Sequence, residues 1–66
     1  MTTNNVIYWR SINGELVFTM STSDIGYTTT LYQGGWEVGK RTFDTLVDAS
    51  EYADNHATNI QLFNEG

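Results

Sequence analysis

The dipeptide Asn13-Gly14 constrains this chain more than any other feature, because it pins one strand against the next. Asn-Gly between two strand-like runs is the strongest short-range hairpin signal, since both residues tolerate the positive φ of a type I′ turn. With these two residues at the centre of the turn, Ile12 stands opposite Glu15, Ser11 opposite Leu16, Trp9 opposite Phe18 and Ile7 opposite Met20. One face then carries Ile7, Trp9, Leu16, Phe18 and Met20, and the other Val6, Tyr8, Arg10, Ile12, Glu15, Val17 and Thr19. A slip of one residue would send the large apolar side chains to solvent. The turn therefore predicts a core made of the first of these two sets.

Residues 6–12 and 15–21 form this first hairpin, and residues 22–26 read as a polar connector ending in a glycine. Residues 27–33 are rich in Thr and Tyr, which favour strands. Gly34-Gly35 marks a second turn, and residues 36–42 run back. A two-residue turn sets Gln33 against Trp36, Tyr32 against Glu37 and Leu31 against Val38, whereas a three-residue loop sets Tyr32 against Trp36. The period then changes. Thr45-Leu46-Val47-Asp48 has the form of a helix cap, with Thr45 as N-cap and a carboxylate at the third helical position. Leu46, Ala49, Ala53 and Ala57 follow at helical spacing, flanked by Val47 and Tyr52, and the small alanines bring the helix close to the sheet. His56 falls in the expected last turn, where an imidazole suits the helix dipole, and Asn59 marks the expected stop. Residues 60–63 then form a short last strand or pack beneath the helix end. The expected fold is α+β: a four-stranded antiparallel sheet of two hairpins, with one C-terminal helix on one face.

Sixty-six residues make a single domain, 1–66, with a modest core to which nine aromatic residues (two Trp, four Tyr, three Phe) contribute most. The small core and the apolar positions left over leave homodimerisation open. There is no cysteine, which removes disulfides and thiolate metal sites and fits a reducing cytoplasm. No apolar run approaches the ~20 residues of a membrane span, and the polar start of the chain lacks the pattern of a signal peptide. Eight acidic residues against three basic ones give a net charge of −5. That sign opposes nucleic-acid binding, which rests on Lys and Arg neutralising phosphates. It suits solubility, or a basic surface on another protein.

Asp44, Asp48, Glu51 and Asp54 lie four, three and three residues apart, which makes one acidic stripe if all four are helical. The stripe reads as a solvated helix face, as a surface that meets a basic partner in the manner of a phosphate backbone, or, least of the three, as a hard-cation site. Tyr8, Tyr32, Arg10 and Arg41 share the outer sheet face in the expected registers. Such a set serves as cross-strand pairs, as protein-interface anchors, or as a stacking platform for single-stranded bases. Adjacent Lys40 and Arg41 point to opposite faces of their strand and do not form one patch. A lone His56 makes no metal cluster, and Ser50 lies on another face of the same helix. Phosphate-loop, dinucleotide and serine-elbow motifs are missing. The sequence thus predicts a non-enzyme without cofactor or metal.

Residues 35–53, from Gly35-Trp36-Glu37 through Phe43, Thr45 and Ala49 to Ala53, resemble the last strand and helix of a small domain of three strands and a helix. That domain occurs in plant ethylene-response factors and at the N-terminus of tyrosine integrases. The resemblance implies a sheet with a packed helix. In those families the sheet reads DNA through basic and aromatic residues, of which Arg10, Lys40 and Arg41 are the basic ones here. In size and charge the chain is similar to phage-encoded inhibitors of host nucleic-acid enzymes, anti-CRISPR proteins among them. The function expected is a small acidic protein-binding module of this inhibitor type. Asp44, Asp48, Glu51 and Asp54 would supply its charge, and Tyr8 or Tyr32 its anchor. The alternatives are a nucleic-acid module using the sheet, and a structural or oligomeric accessory domain.

Overall fold

The computed structural model describes residues 5–65, with side chains through Leu62. The expected short lead-in before residue 5, and the packing of Phe63, lie outside what is described. Four strands, β1 (Asn5–Ile12), β2 (Glu15–Ser23), β3 (Gly26–Gln33) and β4 (Trp36–Phe43), form one antiparallel sheet in the order β1-β2-β3-β4. A single helix, α1 (Leu46–Glu65), crosses one face, lying chiefly over β3 with contacts to β2 and β4. The fold is α+β, as the sequence predicts.

Both glycine turns behave as their chemistry demands. Asn13 and Gly14 have φ of 54° and 83°, Gly34 and Gly35 of 61° and 85°, so each is a two-residue turn with both central residues left-handed. Ile12↔Glu15 and Ser11↔Leu16 follow, as do Gln33↔Trp36 and Tyr32↔Glu37, and the three-residue alternative for the second turn is excluded. The third connection is shorter than the sequence suggests. Strand pairing continues through Thr22↔Tyr27 to Ser23↔Gly26, and only Asp24 and Ile25 turn.

Away from the turns the expected registers shift. Arg10 pairs with Phe18, which leaves Val17 as an extra residue in β2, and Tyr8 pairs with Met20 and Val6 with Ser21, which leaves Ile7 extra in β1. The expected partners Trp9–Phe18 and Ile7–Met20 are therefore wrong, and Trp9 stands opposite Thr19. Leu31 likewise pairs with Gly39, not Val38. The extra residue lets Val17 and Phe18, neighbours in sequence, both bury their side chains. The core is Val17, Phe18, Met20 and Leu31 from the sheet and Ala49, Ala53 and Ala57 from the helix, with Ile12, Tyr27, Phe43, Tyr52 and Ile60 packed around it. Ile7 and Trp9, expected inside, are exposed, because the shifted register turns Trp9, opposite Thr19, to the helix-free face and leaves Ile7 as the extra residue of an edge strand.

The helix starts where its capping chemistry predicts. Asp48 donates its N–H to Thr45 Oγ1 at 3.2 Å, and Ala49 N–H reaches the Thr45 carbonyl at 3.2 Å. Its end differs from expectation. It runs through Asn59 to Glu65, so residues 60–63 are helical and form no final strand, and His56 sits in mid-helix and not in the last turn. Asn is only a weak helix breaker, and Ile60 packing against the core carries the helix past it. The alanine seam brings the backbones close enough for Thr29 Oγ1, on β3, to donate to the Ala49 carbonyl at 3.2 Å. Replacing Thr45 by Ala removes the cap and is expected to cost about 1 kcal/mol in urea unfolding, with Thr45→Ser close to wild type.

Candidate functional site

The four carboxylates do not form one helical stripe. Asp44 lies before the cap, outside α1, and stands at the foot of the helix. Asp48, Glu51 and Asp54 are helical and exposed, on the side away from the buried Ala49, Ala53 and Ala57. At 1.5 Å of rise per residue they span about 9 Å along the axis. The helix contains no Lys or Arg to interleave with them. Solvent-facing helices usually gain a few tenths of a kcal/mol from oppositely charged pairs three or four apart, and this one forgoes that gain.

Tyr8 and Tyr32 are not brought to the helix stripe, nor to each other. Tyr8 is on the edge strand, 55% exposed, its ring tilted against Phe18 at 5.8 Å between centroids. Tyr32 is half-buried two strands away. The β2–β3 ladder ends at Phe18↔Leu31 although both strands continue, so the two hairpins part beyond that pair. The split is a shallow cleft of about 200 Å³ lined by residues that include Leu16, Val17, Tyr32 and Ile60. Where the hairpins part, His56 Nε2–H donates to the Tyr32 carbonyl at 2.9 Å, a carbonyl that β2 does not reach. The single histidine is thus a structural donor that satisfies an otherwise unpaired strand carbonyl. Nothing in the sequence pairs residues 32 and 56, because the contact depends on where the hairpins part. The cleft is smaller than the ~300–1,000 Å³ of ordinary ligand sites.

The expected outer-face cluster of Tyr8, Arg10, Tyr32 and Arg41 is also dispersed. Arg10 pairs with Phe18, Tyr8 with Met20 and Arg41 with Thr29, so all three point to the helix side, where those core residues lie. Arg10 and Arg41 flank the helix on opposite edges of the sheet, and the Arg41 guanidinium lies over the Phe43 ring at 5.3 Å from its centroid. The helix-free face presents one cation, Lys40, among Thr19, Ser21, Thr28, Thr30 and Thr42, with the Thr28 and Thr42 hydroxyls 3.0 Å apart. Three separated cations do not make a track for a phosphate backbone.

Among the described residues no group of three or more His, Cys, Asp or Glu is placed to hold a metal ion, and no helix is long and apolar enough to cross a membrane. What the surface offers is an acidic helix face on one side and an apolar edge strand on another. In β1, Val6, Ile7, Tyr8 and Trp9 are all exposed, a feature half hidden in the sequence because Ile7 and Trp9 read as core. Trp36, next to the second turn, is 77% exposed. Comparison of the chain with protein-family models, with curated proteins and with solved structures gave no match.

Proposed function

We propose that the protein is an acidic protein-binding module, without catalytic activity of its own, whose helix docks on a basic surface of another protein. The observation that carries this reading is the outer face of α1, where Asp48, Glu51 and Asp54 are exposed with no cation on the helix and Asp44 at its foot. Like charges at this spacing weaken a helix slightly. A basic surface would turn that repulsion into attraction, chiefly by raising the association rate. In its finer form, the partner is a nucleic-acid-handling enzyme in the cytoplasm, whose basic groove the helix occludes as a DNA mimic of the phage-inhibitor type.

The test is capture from source-cell lysate with the tagged chain, with and without nuclease, comparing wild type with the doubly reversed Asp48→Lys/Glu51→Lys variant. One basic protein should survive nuclease treatment, and charge reversal should weaken its binding at least about tenfold at low salt. Circular dichroism would verify that the variant is folded. Binding that ignores the reversal would reduce the acidic face to a solvated surface, and capture that vanishes with nuclease would redirect attention to nucleic acid.

A further inference from the structure

The two edges of the sheet are built differently. β4 carries Glu37, Lys40 and Arg41, charges of the kind that keep an edge from pairing with another chain, while each edge strand has one ladder irregularity, at Val38 in β4 and at Ile7 in β1. β1 has one charge, Arg10, in a run of Val6-Ile7-Tyr8-Trp9-Arg10 whose side chains are all exposed. Its outer side presents main-chain groups that no strand of this sheet meets. We infer that β1 pairs antiparallel with β1 of a second copy, joining two sheets into one of eight strands about a two-fold axis at Trp9.

Charge limits where a second copy can pair and selects the register. At a net charge of −5 two copies repel, and the acid-free stretch from Asn5 to Gly14 is where they can approach at least cost. A two-fold centred on Arg10 would set guanidinium against guanidinium, which is destabilising. Centred on Trp9, it sets indole against indole on the helix-free side. It also sets each Arg10 opposite the other copy's Tyr8 on the helix side, as two cation–π pairs. Edge-to-edge pairing of this kind leaves both acidic helices on the same face and free of the interface. Val6, Ile7, Tyr8 and Trp9 retain 61%, 47%, 55% and 59% of their exposure. That is on the order of 500 Å² of side-chain surface, given about 150–250 Å² per aromatic. Edge pairing buries the main chain and only the flanks of these side chains, so the interface falls below the ~600 Å² per partner of stable complexes and is of the weak, concentration-dependent kind.

The inference does not depend on the acidic helix and is tested separately. Sedimentation equilibrium of the intact chain should give twice the 7.5 kDa monomer mass at high micromolar concentration. Trp9→Lys places two ammonium groups at the two-fold and should raise the dimer dissociation constant about 100-fold or more, whereas Trp36→Lys on β4 should leave it unchanged. A wild type that stays monomeric overturns the inference, as does a dimer that only the β4 substitution disrupts or that neither does. Should Trp9→Lys fail to fold, amide exchange of the wild type decides. Protection in residues 6–11 that rises with protein concentration supports the pairing, and protection independent of concentration refutes it.

Discussion

Phe18→Ala should leave the protein largely unfolded at room temperature. Phe18 is 1% exposed and is the largest of the fully buried side chains, and three of the other six core residues are alanines. Truncating a buried Phe costs about 3–5 kcal/mol through lost transfer energy and the cavity left behind. A domain of this size has a total stability of about the same magnitude. The helix cannot collapse into the gap, because its alanines already bring it close to the sheet. Far-UV circular dichroism should show the loss without denaturant, while Phe18→Leu should keep a cooperative urea transition. A Phe18→Ala protein that unfolds within about 1.5 kcal/mol of wild type would mean that the core lies elsewhere.

Gly26→Ala should be the other severe substitution, although a turn glycine is commonly tolerant. Gly26 has φ of 137°, and a Cβ there would overlap the carbonyl oxygen of Phe43 on the neighbouring strand. The obstacle is backbone, so no rotamer relieves it, and β3 would have to move away from β4 at the turn that joins the two hairpins. Strain of this kind costs of order 1–3 kcal/mol before the clash is counted, so a loss of about 3 kcal/mol or more is expected. Gly14→Ala is the matched control. Its φ is 83° and a Cβ would meet nothing within 4 Å, so only the left-handed penalty of about 1–2 kcal/mol applies. Urea unfolding of the two variants side by side should separate them, and equal losses would contradict the close approach at Phe43.

Both predictions depend on features with different visibility in the sequence. Phe18 is already a core residue in the register that the Asn13-Gly14 turn predicts. Gly26 reads only as a loop residue, because its constraint is imposed by a carbonyl seventeen positions away. The candidate site divides in the same way. Exposure of Asp48, Glu51 and Asp54 follows from helical periodicity once Ala49, Ala53 and Ala57 are assigned inward. The placement of Asp44 turns on one residue, the Thr45 cap, that begins the helix after it. The face assigned to Tyr8 and Arg10 was wrong because strand alternation is lost at each bulge, and two bulges interrupt the first hairpin.

By itself the sequence determined the elements and their junctions: two left-handed dipeptide turns, a threonine cap and an alanine seam, each a local matter of backbone sterics, hydrogen bonding or periodicity. The tertiary structure decided how the one helix is shared among four strands. A 20-residue helix lies chiefly over β3, with β2 and β4 beside it, and the shifted register of the β1 edge turns Trp9 to the helix-free face and leaves Ile7 extra, so these two residues, core by pattern, become surface. It also decided where the hairpins part and gave His56 the Tyr32 carbonyl as its partner. Burial is a property of what lies across from a residue, and in this chain that depends on bulges and helix placement, which arise from packing between segments distant in sequence.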